Sequence, residues 1–470
     1  MATVPLLPPL GKGGFEHVVA PFLQQPGLPF ADVLSAEAIE QAFARREGLF
    51  ATDAVFSTPV VLWAFLAQVL RDGKGAACAA AVADIATYMQ QIGRPAPSGD
   101  TGDYCRARAK LEPDALADLV RQSARGLDAQ APEEWLWHGR HAKLVDGFTF
   151  TMPDTIDNQQ AFPQLTTQEP GVGFPIARAC VVLSLATAAV WDLAIGPYEG
   201  KDTGETALLR TMLDGFQPDE VVVFDRYYCS YRMLAAIAAR GADVCTRLHQ
   251  ARDDDFRQGR ALGPYDRLVT WTRPARPEWM TPEQDEQIPE TLTLRMIRFD
   301  VTEPGKRTET ITIVTTLTDP ELYSVDDMAA LYGYRWNAEL DIRVVKQTLG
   351  LDHVRCKSPQ MVLRELWVTL LAYNLIRKVI ATAAVRHEKQ PRQIGFTLAC
   401  QTILSSWMLR ATGACRDARA LTDAALERIA ANEVANRPGR IEPRVLKRRG
   451  HRYPFMTSSR EELRQQLARS

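Results

Sequence analysis

Between residues 136 and 248 the chain runs through seven periodic elements, and their order limits the fold more than any other feature. "KLVDGFTFTM", "ARACVVLSLA" and "AAVWDLAIGP" are three β-rich runs. "TGETALLRTMLDGF" then reads as a helix opened by a Thr/Gly cap. "EVVVFDRYY" is an apolar strand ending at Asp225, "CSYRMLAAIAARG" a helix closed by glycine, and "ADVCTRL" another strand. The succession β-β-β-α-β-α-β predicts a mixed α/β layer with helices against a sheet.

Other segments flank and interrupt this layer. Residues 1–135 read as a helical region, with the Ala-rich periodic runs "STPVVLWAFLAQVLRDG" and "CAAAVADIATYMQQIG". The layer occupies 136–248. Residues 249–318 are polar and loop-rich with at least three β runs, which reads as a β-rich insertion. From 319 to about 390 the layer resumes, ending in the long apolar helix "SPQMVLRELWVTLLAYNLIRKVIATAAVRH". Residues 391–470 are a helical region with a basic tail: ten Lys/Arg against three Asp/Glu from Arg437 to Ser470, centred on Lys447, Arg448 and Arg449. Such a stretch is either a solvated tail or a phosphate-binding arm.

Several classes drop out. The long apolar helix contains Arg364 and Glu365, and no run of about 18 uncharged apolar residues exists, so no membrane partner is expected. "MATVPLLPPLGKGGFEH" lacks a basic region followed by an apolar core, so it is no secretory signal. The eight cysteines are scattered without C-x2-C spacing, which argues against zinc and a disulfide framework and fits the cytoplasm. The net charge is −2, so bulk charge announces no nucleic acid.

The segment "LYGYRWNAELDIRVVKQTLG" carries Tyr332, Arg335, Glu339 and Lys346 in the spacing Y-x2-R-x3-E-x6-K. On one continuous helix these four fall in roughly a 60° stripe. Leu331, Ala338, Ile342, Val345 and Leu349 form an adjacent apolar stripe, so Glu339 lies at the edge of the buried face. Arg335 and Glu339, four apart, also suit an ordinary surface ion pair. Two further acids stand in unusual places. Asp146 sits inside the apolar strand "KLVDGFTF", which is costly unless it is paired or metal-bound. Asp225 ends a strand, where ligands gather in α/β sheets. Three carboxylates from two strands and a helix suit two Mg²⁺ ions, since hard divalent ions take oxygen ligands.

These residues carry a resemblance. The chain resembles bacterial DDE transposases of the insertion-sequence-4 group, through the Y-x2-R-x3-E-x6-K signature, Asp146 in "VDGFTFTMPDT" and Asp225 with Arg226 in "FDRYYCSY". It covers about 140 to 385 well, the tail "EPRVLKRRGHRYPFMT" moderately, and the N-terminal region only at "SGDTGDYCRARAKL". It implies an RNase H-like core, with Asp146, Asp225 and Glu339 as catalytic ligands of two Mg²⁺ ions that Mn²⁺ can replace. It implies cut-and-paste transposition: end cleavage, hairpin formation and strand transfer on double-stranded DNA, at the element's terminal inverted repeats and in target DNA. A homodimer would pair the two ends, the N-terminal region would bind them, and Tyr332, Arg335 and Lys346 would hold phosphates, with Arg226 and the Lys447–Arg449 cluster as further DNA contacts. Trp336 would stack near a distorted base, and Trp271 or Trp279 would receive a flipped one. A domesticated DNA-binding descendant is the competing reading.

Two decoys fall away. "GPYEGKDTGE" has three residues between its glycines and Asp202 after Lys201, so it is no P-loop. Asp154 follows Pro153 beyond the strand, which leaves Asp146 as the first acid.

Overall fold

Valine, phenylalanine and isoleucine, flanked by turn residues, build the strands where the periods predict them. The computed structural model describes residues 42–43, 55–71, 73–91, 93–301, 308–411, 417–434 and 456–469. The chain divides into two units: Met1–Trp135 with Ala186–Asp192 and Asp341–Val434, and Leu136–Leu185 with Leu193–Leu340 and Ala435–Ser470.

The second unit carries most of a nine-stranded mixed sheet in the order β3-β2-β1-β4-β5-β9-β8-β7-β6. The strands are β1 (Ala142–Thr151), β2 (Ile176–Ser184), β3 (Val190–Pro197), β4 (Val221–Phe224), β5 (Asp243–Arg247), β6 (Arg260–Gly263), β7 (Asp266–Thr272), β8 (Thr291–Val301) and β9 (Glu309–Thr315). β1, β4 and β5 run parallel, with Leu144 beside Val223 and Val223 beside Cys245. Every residue of β4 is buried, as a continuous apolar run in a parallel sheet should be. β2 runs antiparallel to β1 and sets Val181 opposite Asp146 and Cys180 opposite Gly147. The helix Tyr231–Ala238 crosses from β4 to β5, its N-terminus capped by the Ser230 hydroxyl.

β6 to β9 extend the same sheet, all by antiparallel pairing. Their interior holds a buried ion pair. Arg295 on β8, 1% exposed, donates from Nε and Nη2 to the two Asp266 carboxylate oxygens on β7, at 2.9 and 2.6 Å. The same guanidinium donates to Tyr323 O at 2.5 Å, which fixes the turn before the helix Val325–Gly333. Ser324 and Asp327 close a capping box at that helix's start.

The described residues of the first unit are mostly helical. Its axis is the 28-residue helix Pro359–Arg386, long and apolar enough to span a membrane by composition, yet 89% buried over its most apolar window. The Asn374 amide in its middle is fully used: Nδ2 donates to Val120 O, Ser123 Oγ and Val190 O, and Oδ1 accepts from Val190 N at 2.8 Å. Asp341, also buried, accepts from Arg377 and Arg392 at 2.9 and 2.8 Å.

One expectation is corrected. Residues 331–350 do not form one regular helix. The helix Val325–Gly333 ends, a tight turn follows, the helix Trp336–Arg343 begins, and Val344–Thr348 form a π turn. In the tight turn Arg335 N, Asn337 N and Ala338 N each bond the carbonyl three residues back, at 2.9–3.0 Å, the 3₁₀ pattern in place of the α pattern. Gly333, a weak helix former, stands at the break. The 60° stripe drawn on a regular helix therefore does not describe all four signature residues. The neighbouring apolar positions Leu331, Ala338, Ile342, Val345 and Leu349 are all buried as read.

Candidate active site

The sheet unit brings its acids to one side through three different elements. β1 delivers Asp146, whose Oδ1 accepts from Gly147 N at 2.8 Å. Asp225 follows β4 directly and caps the short turn Arg226–Tyr228, accepting from Tyr227 N at 2.8 Å. Its own carbonyl accepts from Thr246 Oγ1 at 3.0 Å, which ties the turn to β5. Glu339 stands on the helix Trp336–Arg343.

Arg335 joins two of them. Its Nη2 donates to Glu339 Oε1 at 3.0 Å, and its Nη1 lies 3.7 Å from Asp146 Oδ2. The i,i+4 ion pair suggested by spacing thus exists, and the same guanidinium reaches an acid nearly the whole core away in sequence. Burial pushes the Asp146 carboxyl up to about 6. Its bond from Gly147 N and the Arg335 charge oppose this, while the Asp225 and Glu339 charges add to it. Because the folded value lies above the ordinary 3.8, Asp146 contributes stability that is complete below that value and lost as pH rises through about 6. In the metal-free protein, Asp146→Asn should flatten the melting temperature against pH within this window.

Among the described residues no three His, Cys, Asp or Glu side chains are gathered tightly enough to hold a metal ion. The guanidinium stands between Asp146 and Glu339 where a cation would stand. The donor set is oxygen throughout and already surrounds a positive charge, so the site fits a hard divalent ion in chemistry.

The other sequence-predicted residues fall as follows. Tyr332 is buried beside Arg335, and burial raises its hydroxyl. Trp336 is 51% exposed, and Arg226 is half-buried. Lys346 belongs to the helical unit and pairs with Asp352 at 3.0 Å. Lys447, Arg448 and Arg449 lie outside the described residues. Trp271 and Trp279 each carry a guanidinium over the ring, Arg252 at 3.6 Å and Arg210 at 3.9 Å from the centroid.

The structure adds residues that spacing alone did not reveal. The Glu205 carboxylate occupies the space a side chain at Gly147 would fill: a Cβ there would stand 2.1 Å from Glu205 Cδ. Tyr228, three residues after Asp225 and fully buried, donates its hydroxyl to Glu205 Oε2 at 3.1 Å. Burial raises the Glu205 carboxyl, with the Asp225 charge adding to this. The signal available was the glycine in mid-strand, which marks close approach of another group. Gly147→Ala should lower stability by about 1–3 kcal/mol through overpacking, and adding Glu205→Ala should restore part of it. Thermal melts of the two single variants and the double variant measure this coupling.

Residues 137–375 match the family described as Transposase DDE domain, which is half of the chain. The chain belongs to that family. The Escherichia coli (strain K12) protein "Transposase InsG for insertion sequence element IS4" is 27% identical over 358 residues, 74% of this chain and 77% of that one. "Putative transposase InsZ" of the same organism is 22% identical over 139 residues, 29% of this chain and 46% of that one. A solved piggyBac transposase synaptic complex with hairpin DNA aligns over 90% of this chain and 85% of that one, at 10% identity and a TM-score of 0.40.

Proposed function

We propose that this transposase performs cut-and-paste transposition of an insertion sequence in the bacterial cytoplasm, with Asp146, Asp225 and Glu339 as its catalytic acids. The observation that carries the reading is the shared guanidinium: Asp146 and Glu339, from β1 and a helix beyond β9, converge on one cation. The strand order β3-β2-β1-β4-β5, with β2 antiparallel and β4 and β5 parallel to β1, supports an RNase H-like core.

Two Mg²⁺ ions, which Mn²⁺ can replace, would supply an activated nucleophile and stabilise the leaving oxygen, held by the three acids. Water attacks phosphorus at the element's end, the P–O3′ bond breaks, and a 3′-hydroxyl is left. That hydroxyl attacks the phosphodiester of the opposite strand and expels the 3′-oxygen of the flanking DNA, which forms a hairpin; water attacks the hairpin phosphate and expels the element's 3′-oxygen; and the freed 3′-hydroxyl attacks a target phosphodiester, expelling a target 3′-oxygen. Arg335, Tyr332 and Lys346 would grip phosphates of the non-transferred strand through a planar fork, a phenol and a point charge. Trp336, with half its surface free, would stack on a base, and Arg226 and Lys447–Arg449 would neutralise backbone charge. Residues 1–135 would bind the terminal repeats, and a homodimer would hold the two ends.

The test is excision. The gene, with its native flanks on a plasmid, is expressed in cells, and precise loss of the segment is sought by sequencing across the junction. Excision establishes the activity and locates the ends. Specific flank binding by purified protein without excision would make the chain a DNA-binding descendant instead. Arg335→Ala should then weaken hairpin formation more than first-strand nicking, because a distorted strand depends more on the phosphate grip. Equal loss of both on labelled end duplexes would count against that role.

A further inference from the structure

We propose that Arg335 is a built-in counter-cation that competes with divalent metal for Asp146 and Glu339, so that the chain itself neutralises the acid pair of the metal-free protein. This rests on the reading of those acids as metal ligands. One planar guanidinium offers Nη2 to Glu339 Oε1 at 3.0 Å and Nη1 to Asp146 Oδ2 at 3.7 Å. The Asp146 and Arg335 side chains are only 17% and 18% exposed, and that of Glu339 35%. Carboxylates drawn together with so little water repel one another unless a positive charge lies between them.

The position of Arg335 is set by its backbone. The tight turn fixes Arg335 N on Tyr332 O at 3.0 Å and carries Ala338 N back to Arg335 O at 3.0 Å. The side chain therefore leaves the chain one turn ahead of Glu339 and across from β1. Mg²⁺ binds carboxylate oxygens at about 2.0–2.1 Å, so it cannot share this space with a guanidinium. Metal must displace the arginine, and affinity for metal is reduced by the strength of the bridge. A phosphate oxygen pair is an alternative bidentate partner for the same fork. An arginine drawn to DNA releases the acids, and by linkage metal releases the arginine for DNA.

The test uses the full chain without DNA. Binding of Mn²⁺ is followed by electron paramagnetic resonance of the free ion, for the native protein, Arg335→Gln, Arg335→Lys and Asp225→Asn. Arg335→Gln should bind Mn²⁺ at least about fivefold tighter, the lower end of coupling between linked sites. Its metal-free melting temperature should fall, and its rise on adding Mn²⁺ should exceed that of the native protein. Arg335→Lys, a point charge that cannot fork between two acids, should bind with intermediate affinity, and decides the matter if the glutamine variant does not fold. Equal or weaker Mn²⁺ binding by both variants overturns the proposal. Asp225→Asn tells the two readings apart: binding that it leaves unchanged means the acids are not the metal ligands, whatever Arg335 does.

Discussion

Glu339→Ala should abolish strand cleavage, by at least the roughly 10²–10³-fold that losing one electrostatic support of a transition state costs, while duplex binding stays within a few fold. The side chain is 35% exposed and, among the described residues, pairs with Arg335, so its removal opens no cavity in the core. Asp146 retains the guanidinium, and the helix Trp336–Arg343 keeps Ala338 as its buried contact. Cleavage of a labelled duplex carrying the element's end, read beside a gel shift with the same duplex, separates chemistry from binding. Loss of both together with loss of folding would make Glu339 a structural residue and remove the third acid from the site.

Asp266→Ala should have the largest effect on stability, about 3–5 kcal/mol, the cost of breaking one partner out of a buried pair. Arg295, 1% exposed, would keep its charge and lose both carboxylate oxygens. Its remaining partners are the carbonyls Tyr323 O and Asp319 O, which cannot neutralise it. Chemical denaturation with both variants measures the loss. Replacing Arg295 and Asp266 together by methionine and leucine should cost much less, since no orphaned charge remains. If Asp266→Ala melts like the native protein, the pair contributes no net stability. The damage should also reach activity, because Tyr323 O holds the turn from which the helix leading to Arg335 departs.

Local sequence carried part of this far. The valine run ending at Asp225, the mid-strand Asp146 and the order of the first five strands follow from period and burial, which are properties of neighbouring residues. The apolar stripe beside Glu339 was likewise readable. What stayed hidden depends on residues distant in sequence. Nothing around Arg335 says that its second partner is Asp146, because that contact exists only once β1 and the helix are packed. The same holds for Glu205 filling the space over Gly147, and for the arginines covering Trp271 and Trp279. The break in the signature helix is a different case: Gly333 signalled it, but the period on both sides is so regular that a continuous helix was the natural reading.

The order in which the acids enter the chain has a consequence for synthesis. Asp146 stands on the first strand and Asp225 after the fourth, while Glu339 comes only beyond the ninth. A ribosome has therefore delivered every strand of the sheet before it delivers the last acid. The sheet can begin to fold before the nascent chain holds all three of the proposed acids. A chain cut short between the ninth strand and Glu339 would carry the strands and two of the proposed acids, and lack the third. On the proposed assignment, cutting power would arrive late in translation, after every strand of the sheet is made.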